Sequence, residues 1–342
     1  MARDPWLDNA KMTLVTLVVI GHFWAILPDT RFNDHLYDFL YLWHMPAFVF
    51  VTGYLSRSFA WTRSRMLGLL TTVAVPYVVF ESLYALFRLR AGDERFEELY
   101  LDPHWPLWYL AALFLWRLAT LVLARHWVAV PLSFAASIVG GAYAGEQLDL
   151  ARVVGFLPFF VLGLHATPGR LAVLRTERAR APGVVVLLAV LAGAGLVDAL
   201  AGTEWVYYRT TYAELGVSDP TGMAVRAGFL AAGLVAAVAF YAVVPRRGGW
   251  YAAAGRWTLV VYLFHGFAVK GLGYTGFGPW GDTHGVLALL LVTLLGIGVA
   301  LLLSWDPVAR RLQVAVDPYG SVLRWRRQRI GSPVVRAARG AD

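Results

Sequence analysis

The 342-residue chain contains no cysteine. Disulfide bonds and cysteine-ligated zinc or iron–sulfur sites are therefore excluded, and cysteine usage says nothing about the redox compartment. Charged residues are also scarce, at 15% of the chain, against about 25% in ordinary soluble domains. Hydrophobic residues make up 58% of the sequence, and the mean hydropathy is +0.58. This composition indicates a membrane protein.

The first apolar segment lacks the features of a cleaved signal peptide. It carries His22, and no small-residue cleavage site follows it. We therefore expect the segment to remain in the protein as its first transmembrane helix.

Apolar runs of roughly 16 to 23 residues follow one another along the chain, close to the ~20 residues that a ~30 Å hydrocarbon core requires. These runs predict an all-α polytopic membrane protein, folded as a single bundle of about ten transmembrane helices. Residues 1–304 are predicted to form one transmembrane domain, and residues 305–342 a basic cytoplasmic C-terminal tail. The runs are 10–27, 39–55, 66–87, 105–124, 128–145, 153–168, 183–201, 223–244, 258–273 and 285–304.

The distribution of Lys and Arg predicts the orientation, because these residues are retained at cytoplasmic helix ends. With the N-terminus inside, 21 of the 30 basic residues lie in cytoplasmic pieces, six lie outside and three lie within spans. Both termini are then cytoplasmic, in an inner or plasma membrane. The net charge of +8 is explained mostly by the Lys and Arg residues that set this orientation. Contact with anionic inner-leaflet lipid explains the basic tail better than nucleic-acid binding does.

Lys11 and His22 share one face of the first predicted helix. Eleven steps of about 100° return a helix to within about 20° of its starting direction, and the rise separates the two residues by about 16 Å. Lys11 is then at the inner boundary, where Asp8 can hold it, and His22 is near mid-depth. An ionisable group at that depth usually faces a bundle interior or a wet cavity. A histidine that only bridges two helices is the alternative.

Other polar residues also fall within the predicted spans. Pro46 removes a backbone donor near His44 and can kink or break the second span beside a cavity. Asp198 and Arg226, in adjacent spans, are placed to neutralise each other. The remaining polar residues within spans include Glu81, Arg117, His265 and Lys270.

Aromatic residues cluster in two segments on the predicted outer side. Trp105, Trp108 and Tyr109 open the fourth span, where aromatic belts occur at membrane interfaces. The outer loop 202–222, "GTEWVYYRTTYAELGVSDPTG", has the rings and polar groups to stack on a sugar, and interfacial anchoring explains it nearly as well.

Six short segments, in this order along the chain, are similar to those of a known family. The chain resembles the membrane-bound acyltransferase 3 family, most closely its fucose 4-O-acetylase-like branch. The matching segments are "LDNAKMTLVTLVVIGH", "FLYLWHMPAFVFVTGYL", "VPYVVFE", "PLWYLAALFLWRL", "FLPFFVLGLHA" and "GRWTLVVYLFHG".

The resemblance implies a ten-helix integral enzyme that moves an acyl group, most simply acetyl from acetyl-CoA, from the cytoplasm to a hydroxyl of a carbohydrate or glycoconjugate. No metal is implied. His22 matches the family's first-helix histidine, and Lys11 replaces a common arginine, which keeps the charge and loses the bidentate fork. Arg63 and Arg65 are the other candidates to bind the acyl-CoA, although no Arg-x-x-Arg stands directly before Pro76.

Two catalytic roles for His22 remain open under this resemblance. As a general base it would deprotonate the sugar hydroxyl, an effect worth about 10²- to 10⁴-fold in rate. As a nucleophile it would carry the acyl group across the bilayer as acyl-histidine. Glu81 or His265 is expected to orient it as part of the catalytic set. The acceptor substrate is expected to contact His44, Trp108, Tyr109 and Tyr262.

A transporter or flippase for a polysaccharide precursor or small polar solute is the rival class. Buried charges would then form a substrate or proton path, with the broken second span as a gate. Paired broken helices and visible inverted repeats, which would favour this class, are not seen in the sequence. A scaffold or signalling protein would leave Lys11 and His22 on one helix face unexplained.

Overall fold

The computed structural model describes residues 3–95, 98–143, 145, 147–200 and 202–322, with the side chains of 198–200 outside the description. Every regular element in this part of the chain is helical. A π-helical turn, Leu70–Ala74, joins the third helix to the fourth, and a 3₁₀ turn, Gln147–Asp149, precedes the seventh. The helices are α1 Pro5–Trp24, α2 Arg31–Ser56, α3 Arg63–Leu69, α4 Val75–Gly92, α5 Trp108–Leu123, α6 Ala129–Gly140, α7 Leu150–Gly155, α8 Leu157–His165, α9 Pro168–Leu174, α10 Glu177–Gly193, α11 Gly195–Leu200, α12 Glu204–Tyr207, α13 Asp219–Val243, α14 Trp250–Ala254, α15 Thr258–Gly273, α16 Phe277–Ser304 and α17 Asp306–Val316.

Each of the ten predicted spans overlaps one of these helices or a neighbouring pair. Within the described residues, four helices are long and apolar enough to cross a membrane: Arg31–Ser56, Arg63–Gly92, Asp219–Val243 and Phe277–Ser304. A bent pair, Gln147–Gly155 with Leu157–His165, raises the number to five if it forms one span. The helices are consistent with a membrane protein, while the count of ten crossings and their orientation stay predictions.

The first helix starts earlier than its apolar run suggests. The side chain of Asp4 caps it by accepting a hydrogen bond from the Trp6 backbone N–H at 3.1 Å, and Pro5 occupies the first turn. Both features are typical of helix starts. Because α1 ends at Trp24, His22 lies in its last turn. His22 is therefore near one end of the helix, while its depth in a membrane stays a prediction.

The second helix does not break at its proline. α2 runs from Arg31 to Ser56 with Pro46 inside it. The break occurs instead between α7 and α8, which meet at 55°. Pro158 in the first turn of α8 explains this position, because proline fits the start of a helix better than its interior.

The centre of the bundle is built around α2, which packs against α1, α8 and α13. Glycines allow α2 and α8 to approach at backbone distance: a Cβ on Gly53 would lie 2.0 Å from the Phe160 carbonyl oxygen, and one on Gly163 would lie 2.1 Å from that of Phe50. Small residues permit such close crossings in membrane bundles. Besides α2, α1 also packs against α14, α15 and α16. Both α1 and α2 therefore lie within the bundle.

Arg226 ties the segment after α12 to the bundle. Its guanidinium donates to the carbonyl oxygens of Ser137 at 3.3 Å and Thr210 at 3.4 Å, and lies 5.1 Å from the Tyr212 ring centroid. The side chain of Asp198 is outside the described residues, so its pairing with Arg226 stays a prediction.

The start of the basic tail forms α17, which packs against α15 and α16. Asp306, at the first position of this helix, accepts hydrogen bonds from the Trp257 indole, the Arg256 guanidinium and the Arg310 guanidinium. In that order these bonds lower the pKa of Asp306 below its ordinary value. Residues 323–342, with most of the tail arginines, lie outside the description, and the division at residue 304 stays a prediction.

Candidate active site

A cavity of about 230 Å³ lies between α1, α2, α5, α7, α15 and the α12 region. We call it the chamber. Five of the residues predicted to act on substrate line it: His22, His44, Trp108, Tyr109 and Tyr262. The structure therefore brings together side chains that the sequence spreads from the first predicted span to the ninth.

The chamber extends along one face of α2. Tyr37, Tyr41, His44 and Phe48 line it in sequence at helical spacing, which corresponds to about 16 Å along the helix axis. Its charged lining residues are Arg152, Glu204 and Arg209. All three belong to segments predicted to lie outside, so the charged end of the chamber is the predicted outer end.

His22 forms a hydrogen bond with His265 across the α1–α15 contact, with Nδ1 of His22 2.7 Å from Nε2 of His265. Nδ1 of His265 lies 2.6 Å from the Tyr262 carbonyl oxygen and 3.2 Å from that of Val261. A carbonyl oxygen only accepts, so Nδ1 of His265 carries the hydrogen. We assign both rings as neutral, because a buried charge without an acidic partner is costly.

These assignments fix the tautomer of His22. With its hydrogen on Nδ1, the His265 ring presents a lone pair at Nε2 and accepts from Nδ1–H of His22. The Nε2 atom of His22 then carries a lone pair, and it has no hydrogen-bond partner among the described residues. The ring lines the chamber, with the Trp105 ring centroid 4.1 Å from its own. A positioned basic nitrogen in a cavity can take a proton or attack a carbonyl carbon.

His44 presents a second basic nitrogen in the chamber wall. Its Nδ1 donates to the Leu40 carbonyl oxygen at 2.8 Å, so the neutral ring carries its lone pair on Nε2. That atom is buried and has no partner within the described part of the chain. A hydroxyl group of a bound molecule would satisfy it.

The aromatic lining is held by hydrogen bonds of its own. The Tyr262 hydroxyl donates to the Pro106 carbonyl oxygen, and the Tyr109 hydroxyl contacts that of Thr52. The Arg152 guanidinium lies 5.3 Å from the Trp108 ring centroid and pairs with Asp149 at 2.9 Å. Tyr109 and Tyr262 thus shape the chamber with hydroxyls that already have partners.

Glu81 does not contact His22. It is fully buried, and its carboxylate accepts from Nδ1 of His104 at 2.5 Å. Of the two candidates to orient His22, the structure places His265 against it and Glu81 elsewhere.

The candidates for binding the acyl donor lie apart from the chamber. Lys11 pairs with Asp8 at 2.8 Å, as the sequence predicts, and Asp8 also accepts from Arg3 at 2.9 Å. Arg63 is exposed at the start of α3. Arg65 lines a separate cleft of about 360 Å³ together with the in-span Arg117 and several hydroxyl side chains. That cleft lies where α2, α3 and α5 meet.

Several lining residues were not singled out from the sequence as site residues. Tyr37 and Tyr41 share a helical face with His44 and Phe48, a periodicity that would have indicated them. Glu204 and Arg209 lie in the outer loop 202–222, whose rings and polar groups are suited to contact a sugar. For Arg152 the only signal is its place among the few arginines predicted outside. In the described residues, no group of three His, Asp or Glu side chains is arranged to hold a metal ion.

Comparison with known proteins gives two matches. The sequence model of a family described as acyltransferase domain, acyltransferase 3, matches residues 4–305. Nodulation protein NolL of Mesorhizobium japonicum is 25% identical over 186 residues, which cover 48% of this chain and 48% of that protein. The match thus spans about half the length of this curated relative. No solved structure matches.

Proposed function

Because the chain belongs to the acyltransferase 3 family, whose model matches residues 4–305, we propose that it is an integral membrane O-acyltransferase. It transfers an acyl group, most simply acetyl, from cytoplasmic acyl-CoA to a hydroxyl of a carbohydrate or glycoconjugate of the cell envelope. The observation that carries this proposal is that His22 lines the chamber while its Nδ1 is held by His265, which leaves Nε2 with the lone pair.

In the proposed reaction, Nε2 of His22 accepts the proton of the acceptor hydroxyl as its oxygen attacks the thioester carbonyl carbon. A carbon–oxygen bond forms, the carbon–sulfur bond breaks, and the imidazolium returns the proton to the leaving sulfur. His265 keeps the tautomer and the ring orientation throughout. General base catalysis of this kind contributes about 10²- to 10⁴-fold in rate.

A relay through acyl-histidine is the second mechanism. In it, Nε2 of His22 attacks the thioester carbonyl carbon, the carbon–sulfur bond breaks, and CoA leaves as the thiolate. The acceptor oxygen then attacks the acyl carbon, the carbon–nitrogen bond breaks, and the hydroxyl proton passes to the freed ring nitrogen and from there to solvent. Both routes use the same nitrogen and the same tautomer. The relay predicts acyl label on the protein when acceptor is withheld, whereas direct transfer does not.

The acceptor is proposed to enter at the charged end of the chamber, where Arg152, Glu204 and Arg209 offer donors and acceptors to a polyhydroxyl ligand. The arrangement of His44 supports this, because its buried Nε2 needs a donor such as a second sugar hydroxyl. The donor phosphates are proposed to bind on the predicted inner side, at the cleft lined by Arg65 and Arg117, which we call the donor cleft. Lys11 is the other cation proposed to attract them. The Arg3–Asp8–Lys11 cluster keeps one net positive charge.

The test is label transfer by purified protein in detergent, with radiolabelled acetyl-CoA and glycans extracted from the cell envelope. We expect label on carbohydrate with the wild type and at least a 100-fold lower rate with His22→Ala, consistent with loss of a general base. His126→Ala, which removes an exposed loop histidine, should match the wild type. The transporter alternative predicts no transfer from any variant, and that result would overturn the proposal.

A further inference from the structure

Trp105 lines two cavities. It lines the chamber, and it also lines a cleft of about 850 Å³ on the predicted outer side. We call the second cavity the outer cleft; its lining includes Arg88, Asp102, His104, Arg152 and Arg209. The Trp105 ring centroid lies 4.1 Å from that of His22 and 6.1 Å from that of His265. The indole therefore packs on His22 and, with Arg152 and Arg209, belongs to the lining that the two cavities share.

The residue before Trp105 is held by the carboxylate of Glu81. His104 donates to Glu81 three times, from ring Nδ1 to Oε1 at 2.5 Å and from its backbone N–H to Oε1 and Oε2 at 3.2 Å each. Glu81 is 0% exposed and His104 is 5% exposed. Because every one of these bonds ends on a carboxylate oxygen, Glu81 acts here as an acceptor, and such charge-assisted bonds are stronger than neutral ones.

The residue after Trp105 is held from the other side of the bundle. The Pro106 carbonyl oxygen accepts from the Tyr262 hydroxyl on α15, and the Leu107 backbone N–H donates to the His104 carbonyl oxygen at 2.6 Å. The indole is thus carried on a short segment that is fixed to α4 on one side and to α15 on the other.

We propose that Glu81 and His104 are positioning residues, which act on the reaction through Trp105 by holding its ring against His22. The kinetic part of this inference rests on the proposed function. Glu81→Gln would put an –NH₂ group in place of Oε2, so the His104 backbone N–H would face a second donor and would keep only Oε1, which it shares with the ring, and the segment would loosen. The indole would then leave His22 more exposed to the chamber and less fixed in orientation.

The experiment measures the exposure of His22 without using the enzymatic reaction. Full-length protein in detergent is treated with diethyl pyrocarbonate, which modifies accessible neutral imidazole, and the peptide containing His22 is quantified by mass spectrometry. We expect Glu81→Gln to raise the labelling rate by about tenfold, the order of effect that loss of one charge-assisted bond produces. Trp105→Ala removes the ring that packs on His22 and should raise the rate at least as much. The exposed Glu177→Gln should leave the rate unchanged.

A double-mutant cycle separates positioning from general destabilisation. If Glu81 acts through Trp105, the Glu81→Gln/Trp105→Ala protein should label no faster than Trp105→Ala alone, since residues in one network are not additive. Additive labelling rates, or Glu81→Gln labelling at the wild-type rate, would overturn the inference. If Glu81→Gln does not accumulate, His104→Phe removes the ring donor and tests the same contact. His104→Asn, which keeps a side-chain donor, should restore part of the protection.

The kinetic readout distinguishes the two proposals. In the acyl-transfer assay we expect Glu81→Gln to lower kcat about tenfold with KM for acyl-CoA unchanged, because neither Glu81 nor Trp105 lies in the proposed donor cleft. Non-additive labelling rates without acyl transfer in any variant would overturn the proposed function and leave the positioning role intact. Acyl transfer by the wild type, with the same labelling rate in all variants, would overturn the positioning role and leave the proposed function intact.

Discussion

Replacing His265 with alanine tests the link between tautomer and reaction. The substitution removes the only hydrogen-bond acceptor found for Nδ1–H of His22 in the described residues. A buried donor left without an acceptor costs about 1 to 3 kcal/mol, and each 1.36 kcal/mol corresponds to tenfold in rate. If this loss falls on the reactive tautomer, kcat should drop roughly 5- to 150-fold. This is less than the loss of His22 itself, because the base remains.

The assay is steady-state acyl transfer by His265→Ala in detergent, with kcat and KM determined separately for both substrates. KM should change little, because His265 is fully buried behind His22 and does not line the chamber. His265→Gln offers an amide oxygen as acceptor and should recover part of the rate. His165→Ala is the matched control, since His165 also bonds a backbone carbonyl but lies on α8. A wild-type kcat for His265→Ala would refute the tautomer assignment.

Three further outcomes follow from the packing, the surface charges and the donor cleft. Gly163→Ala should destabilise the protein by about 1 to 3 kcal/mol through overpacking. Gly68→Ala, whose added Cβ meets open space, should be neutral or stabilising. Thermal unfolding in detergent measures the stability of both variants. The pKa of Asp306 is lowered in the fold, so its stabilisation is present above the unfolded pKa of about 3.9 and is lost as pH falls through the folded value. Asp306→Asn should therefore lower the melting temperature at neutral pH and flatten its decline below about pH 4; identical pH curves would contradict this. Arg65→Ala should raise KM for acyl-CoA with little change in kcat, and Arg63→Ala should not, because of these two arginines only Arg65 lines the proposed donor cleft.

The helices and much of the chamber lining could be predicted from the sequence because both depend on local information. Apolar runs of membrane-spanning length predicted the helices of 12 residues or more, and the aromatic residues of the fourth and ninth spans proved to line one cavity. Helix ends were less accurate for α1, since its start depends on the cap at Asp4 rather than on hydrophobicity. That α2 continues unbroken past Pro46 depends on tertiary packing, which a proline rule does not contain.

Contacts between distant segments could not be predicted. His22 and His265 are 243 residues apart, and their hydrogen bond exists only because α1 packs beside α15. Glu81 was one of two residues expected to orient His22, and the rotation of α4 directs it to His104 instead. A single sequence gives the face of a helix but not the neighbour that the face meets.

The most direct test of the proposed chemistry is chemical rescue of His22→Ala by free imidazole. Removing the ring leaves a space beside His265 and Trp105 that imidazole can occupy, with His265 Nε2 still present to accept from it. We predict that the acyl-transfer rate of His22→Ala falls at least 100-fold, consistent with loss of a general base, and rises with imidazole concentration while the wild-type rate does not. Undiminished transfer by His22→Ala without imidazole would contradict the central claim that Nε2 of His22 carries the reaction.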